Sequence, residues 1–175
     1  MKERGNAIVL IGFMGAGKSS VGRTLARMTG LPRFDTDEMV ATRFGLTIPE
    51  VFATHGEEKF RDAETEALRE LSDRGHAIIV TGGGIVLRDE NVALLRALGN
   101  IVHLAADEET LFARISRRSN RPLLQTENPR GTMTELLRAR LPIYRQTADL
   151  EVDTSLLRHD EVAEQILEKI QSTRP

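Results

Sequence analysis

An open α/β sheet covered by helices on both faces is the fold class that the sequence predicts, and three observations carry it. The strongest apolar runs are unbroken rather than alternating, helical patterns lie between them, and the joints are short. A strand whose residues are all apolar needs cover on both faces, which crossover helices provide in a parallel sheet. Sheets of this kind bind ligands in the crevice at the carboxyl ends of their strands.

The first run is Ala7 to Ile11, followed by a glycine-rich turn and a helix whose Val21, Leu25 and Met28 fall on one face. Gly30 stops that helix, and Pro32 lies just beyond. A weaker strand is expected around Arg33 to Asp35. The next helix should cover about Glu57 to Leu71, with Phe60, Ala63, Ala67 and Leu71 as its inward stripe. Ala77 to Val80 then reads as strand, about Asn91 to Leu98 as helix, and Ile101 to Leu104 as strand. Asp107 is placed to cap a helix from Glu108 to Arg118. A second weak strand is expected around Leu150 to Val152. Asp160 is placed to cap the last helix, whose Val162, Ile166 and Ile170 repeat every four residues. Between these elements, Ser116 to Gly131 is polar, arginine-rich and without an apolar period. It reads as a long mobile loop, a kind that commonly carries function.

Composition bounds the partners. With 175 residues, 40% of them hydrophobic and 29% charged, the chain suits a single domain over residues 1–175 with a proper core. A formal net charge of -2 provides no global positive field for nucleic acid or an anionic membrane. The absence of cysteine removes disulfides and thiolate chemistry, and His55, His76, His103 and His159 show no metal-ligand spacing. A five-residue apolar run near the N-terminus is too short for a signal segment or a membrane span. A soluble, unprocessed, cytoplasmic monomer is the expectation.

The strongest chemical signal is GFMGAGKS, Gly12 to Ser19, which satisfies GxxxxGK[ST] directly after a strand and before a helix. Glycines there let successive amide N–H groups and the helix N-terminus face one anion. Gly15, Ala16, Gly17 and Ser20 are placed to border a nucleotide's phosphates, Lys18 to reach the β- and γ-phosphates, and Ser19 to ligate Mg2+. Asp35-Thr36-Asp37 follows, where an extended backbone would point both carboxylates to one side, one toward metal and one toward substrate. The same residues would also suit a helix N-cap with a first-turn acid.

Arg61 and Glu64 are three apart, so the glutamate can orient the guanidinium for a ligand carboxylate; an ordinary exposed ion pair would have the same spacing. Gly82, Gly83 and Gly84 end a strand without side chains, which suits close approach of a small ligand or a plain turn. Arg117, Arg118 and Arg121 lie in the long loop, with Arg114 upstream and Arg140 downstream. An arginine carried on a closing loop, with Arg121 the candidate, would offset charge on a moving phosphoryl group. A solvated basic patch is the alternative. No aromatic residues interleave these arginines as nucleic-acid binding would need.

In this order, GFMGAGKSS, FDTD, GEEKFRDAE, TGGGIVL, RPLL and RLPIY resemble the shikimate kinase family, over about residues 7–155. The resemblance implies the three-layer P-loop kinase fold, with a five-stranded parallel sheet in order 2-3-1-4-5, a substrate-binding segment at about 36–64 and a mobile lid at about 116–131. It implies transfer of the γ-phosphoryl group of ATP, with Mg2+, to the 3-hydroxyl of shikimate. By residue, it implies Asp37 on the substrate hydroxyls, Asp35 near magnesium, and Arg61 and Arg140 on the substrate carboxylate. Gly83 would supply a backbone contact, Arg121 would reach the phosphates and Arg114 the adenine side; Asp153-Thr154-Ser155 is similar to the family's adenine loop. Ser20 stands where the family usually has threonine. Two other readings compete: a relative acting on another polyol acid such as gluconate, and a catalytically silent nucleotide-binding regulator. A GTPase-like switch would need an NKxD string, and none occurs.

Overall fold

The computed structural model describes residues 5–117 and 126–172. Five strands form one parallel sheet: β1 (Ala7–Ile11), β2 (Arg33–Asp35), β3 (Ile78–Val80), β4 (Gly99–Ala105) and β5 (Leu150–Asp153). Their spatial order is β2-β3-β1-β4-β5, as the family resemblance implies. β1 lies at the centre, with Leu10 opposite Val80 on one side and Val102 on the other. Every residue of β1 is buried, which its unbroken apolar run requires.

Among the described residues, seven α-helices surround the sheet: α1 (Lys18–Thr29), α2 (Thr36–Phe44), α3 (Ile48–Leu71), α4 (Asp89–Leu98), α5 (Glu108–Ser116), α6 (Pro129–Thr147) and α7 (His159–Ser172). α1 buries Val21 and Leu25 and ends at Gly30, whose left-handed backbone lets its N–H bond Ala26 O. Met28, expected on the same face, is 43% exposed instead. The helix expected from Glu57 is the second half of α3, which begins nine residues earlier and is broken at Gly56 (φ 79°). Glu50 accepts from the Thr47 amide and hydroxyl at 2.8 and 2.7 Å, which fixes the start of that earlier half.

Two helices stand where none was expected. α2 has only Thr36 and Val40 buried, so it carries little apolar signal. α6 carries Pro142 in its interior, normally a helix breaker. Because α6 starts at Pro129, the expected loop to Gly131 ends earlier, and residues 118–125 of it lie outside the described residues. Asp107 caps α5 as expected, accepting from Thr110 N at 2.8 Å, although α5 ends at Ser116 rather than Arg118. Asp160 does not cap α7; it lies in that helix's first turn, where an acid favours the dipole.

The main core joins both faces of the sheet to its covering helices, and a second small cluster forms beside it. Val40, Val51, Phe60 and Ala63 make that cluster, tying α2 to both halves of α3. Among the described residues, no helix is long and apolar enough to cross a membrane.

Gly22 sets how closely α1 approaches the sheet, because a Cβ there would overlap Val80 Cγ2. Helix propensity alone would make Gly22→Ala stabilising by about 1 kcal/mol. Overpacking against a β-branched strand residue should reverse the sign, so the variant should lose about 1–3 kcal/mol. A lower urea midpoint at unchanged slope is the expected result, and a raised midpoint would refute the packing argument.

Candidate active site

At the carboxyl end of β1 the chain turns through Gly12–Ser19 into α1. Gly15 (φ 82°) and Gly17 (φ 95°) hold left-handed backbone that residues with a Cβ seldom adopt, and this curls the loop around an anion-sized concavity. Lys18 is buried, and its Nζ donates to Gly12 O at 2.7 Å and Phe13 O at 2.9 Å. The ammonium is thus held over the loop that precedes it. A cavity of about 360 Å3 opens here, bordered by Gly15, Gly17, Lys18, Ser19 and Ser20 from this loop. Ala16 is wholly buried instead, its carbonyl accepting from Thr154 Oγ1 at 3.1 Å.

Arg114, on α5, borders the same cavity. It donates to Thr154 O at 2.7 Å, Thr154 Oγ1 at 3.0 Å and Gly15 O at 3.3 Å, tying the glycine loop to the segment after β5. His159 at the start of α7 also borders it, a placement that sequence reasoning missed. Arg121 lies outside the described residues.

Asp35 and Asp37 both border this cavity, but not in the expected extended geometry. Asp35 ends β2, and Thr36 already begins α2. Asp35 Oδ1 accepts from Asp37 N at 3.0 Å, so the helix cap and the acid pair are one arrangement. Its Oδ2 faces Arg33 Nη1 at 3.2 Å. Burial pushes the Asp35 carboxyl up and Glu38 adds to this, while the Asp37 amide and Arg33 pull it back. Ser19 and Asp35 offer a hydroxyl and a carboxylate, the hard oxygen donors that suit Mg2+. The described residues contain no group of three or more acids or histidines placed to enclose a metal ion.

A second cavity, of about 80 Å3, adjoins the first, and Met14, Asp37, Gly82 and Gly83 border both. One of its walls is charged, with Arg61, Glu64 and Arg140, each buried. Its other wall is apolar, with Ile48, Phe52 and Phe60, and Phe52 and Phe60 lie 4.6 Å apart between ring centroids. Sequence reasoning did not single out Ile48 or Phe52, though both belong to the apolar pattern of the earlier half of α3.

Arg61 Nη1 donates to Glu64 Oε2 at 2.6 Å, and Nη2 donates to Glu57 Oε1 at 3.0 Å. This is a buried pair rather than an exposed one. The glycine turn fits closely around it. A Cβ on Gly82 would lie 2.6 Å from Asp37 Oδ1 and 2.7 Å from Glu64 Oε1, and a Cβ on Gly84 would overlap the Arg61 guanidinium. Burial pushes the Glu64 carboxyl up to about 7; Asp37 adds to this, and the Arg61 and Arg140 guanidiniums pull it back.

That shift makes stability depend on pH. Folding raises the Glu64 pKa, so its contribution is fully present below the unfolded value of 4.5 and is lost as pH rises toward about 7. Wild type should therefore lose on the order of 2–3 kcal/mol relative to Glu64→Gln between pH 4.5 and 7.5. Urea unfolding of both proteins at the two pH values tests this, and parallel curves would contradict the assignment.

Comparison with known proteins adds an independent line. The family model for shikimate kinase matches residues 14–171. A shikimate kinase of Thermodesulfovibrio yellowstonii is 45% identical over 162 residues, which is 93% of each chain. One from Thioalkalivibrio sulfidiphilus is 49% identical over 147 residues, 84% of this chain and 77% of that one. The solved shikimate kinase of Acinetobacter baumannii, in complex with shikimate, superposes with a TM-score of 0.92 at 38% identity. That alignment covers 99% of this chain and 96% of the other. A match from the glycine loop to the last helix, at these identities and over nearly the whole length of such relatives, leaves one conclusion: the chain belongs to the shikimate kinase family.

Proposed function

We propose that this chain transfers the γ-phosphoryl group of ATP to the 3-hydroxyl of shikimate, giving shikimate 3-phosphate and ADP. The observation that carries the reading is the shared border of the two cavities. Asp37, Gly82 and Gly83 lie between a phosphate-sized nest and a small pocket with paired cations at one wall. A phosphoryl group need only cross that border.

In this reading the amides of residues 15–20 and the α1 N-terminus hold the phosphates, with Lys18 offsetting charge on the β- and γ-oxygens. Arg114 borders the adenine side, and Arg121 is assigned to offset charge on the phosphates from the lid segment at about residues 116–131. Ser19 and Asp35 would hold Mg2+, which would offset charge on the phosphates. Asp37 orients the acceptor hydroxyl toward the phosphate or accepts its proton. Arg61 and Arg140 take the substrate carboxylate. Glu64 and Glu57 fix the plane of the Arg61 fork, which leaves its other donors for a ligand. Gly83 contributes main-chain polar groups, and Ile48, Phe52 and Phe60 cover the ring's carbon face. Residues 36–64 thus form the substrate-binding segment.

A gluconate-directed reaction is the weaker reading, because the relatives at 45% and 49% identity are shikimate kinases and the apolar wall suits a carbocycle better than an open polyol. A silent regulator is weaker too, since the acid, the lysine and the paired arginines are all in place.

ADP release with ATP and Mg2+ should be much faster with shikimate than with quinate or gluconate, and equal rates would overturn the substrate assignment. Asp37→Asn should lower kcat by about 100- to 10,000-fold, the usual range for a positioned acid–base group. Wild-type turnover in that variant would remove Asp37 from its role. Arg61→Lys should raise the KM for shikimate by about 10- to 100-fold, because an ammonium cannot supply the planar two-point contact. An unchanged KM would show that the fork does not hold the carboxylate.

A further inference from the structure

Tyr144 is the only tyrosine in the chain, and the chain has no tryptophan. Its side chain is completely buried, and its Oη donates a hydrogen bond to Gly83 O, 61 residues away in sequence. It stands one helical turn beyond Arg140 on α6, so both project from the same face. Burial pushes the Tyr144 hydroxyl up to about 12, with the Arg140 guanidinium pulling it back, so it stays a neutral donor across the working pH range. The ring stacks on His103 at 5.1 Å between centroids, and His103 Nδ1 lies 2.8 Å from Glu151 Oε2. Tyr144 is thus clamped from the sheet side, through β4 and β5, and reaches across to the glycine turn.

We infer that Tyr144 is a positioning residue for the acceptor site, setting the main chain of the glycine turn. The inference rests on the reading that the smaller cavity takes a carboxylated alcohol. A turn of three glycines has no side chains with which to fix itself, and its peptides are free to rotate unless something holds them. In a trans peptide the C=O and the following N–H point in opposite directions. Holding Gly83 O therefore also fixes the direction of the Gly84 N–H. Gly83 borders both cavities and Gly84 borders the acceptor cavity alone, so freedom in this turn would be felt first where the acceptor binds.

Tyr144→Phe removes only the hydroxyl and keeps the ring on His103. With one hydrogen bond lost, the KM for shikimate should rise about five- to tenfold. The KM for ATP should stay within about twofold, because the hydrogen bonds that tie Arg114 to Gly15 and Thr154 do not involve the hydroxyl. A KM for shikimate equal to wild type, or equal rises in both KM values, would overturn the inference. A second measurement leaves the residue in place. Uniform 3-fluorotyrosine labelling yields one fluorine resonance, which should shift when shikimate is added without nucleotide. A resonance that stays fixed at shikimate concentrations that saturate the enzyme would also overturn it. Should wild type turn over none of the carboxylated alcohols, the reading of the cavity fails instead, and these results tell the two failures apart.

Discussion

Charged side chains packed against a turn that has no side chains are the constraint on which the rest of the site depends. Arg61 and Glu64 are buried together and press on Gly82 and Gly84, where any Cβ would collide with their charged ends. Burying such groups is expensive, and one ion pair does not repay it fully. The compensation is incomplete: Glu64 Oε2 accepts from Arg61, but its Oε1 has no hydrogen-bond partner among the described residues. A site that leaves buried polar capacity unused is preorganised for a ligand that will use it. Stability is given up here for geometry.

The break in α3 follows from the same demand. Its first half carries Ile48 and Phe52, and its second half carries Phe60, Arg61 and Glu64, all on the same cavity. A continuous helix would turn residues eight or more apart along one straight stripe. The left-handed Gly56 lets the two halves face the pocket from different directions, with Val40, Val51 and Ala63 packed behind the bend. That small second core supports an acceptor wall that the main core, gathered around the sheet, does not reach.

How much of this was legible depends on where each signal lies. β1, the glycine loop and α1 could be read because their cues are contiguous: five apolar residues, then turn chemistry, then an apolar stripe ending at glycine. The strand order came with the family resemblance, since periodicity says which segments are strands but not which are neighbours. α2 was missed because its one buried apolar residue, Val40, carries no period, and α6 because Pro142 speaks against a helix although Met133, Leu136, Leu137 and Tyr144 keep the spacing. Tyr144 and His159 matter only through residues brought near by the fold, so no local pattern marks them. The placement of Arg61, Gly82 and Gly84 was legible, but the reason for the glycines was not. It is the size of the neighbouring charged groups, beside the close approach of a ligand that the sequence suggests.

The acid pair shows why two readings that looked exclusive are compatible. Asp35 as a helix cap and Asp35 as an acid beside a cation call on one carboxylate. A carboxylate offers about four lone-pair sites, and the Asp37 amide uses one. Capping α2 with Asp35 fixes the Asp37 backbone by a direct hydrogen bond, so the acid that borders both cavities is registered to the one that borders only the larger of the two. The backbone of Asp37, the residue that both cavities share, is thus tied to the acid that ends β2.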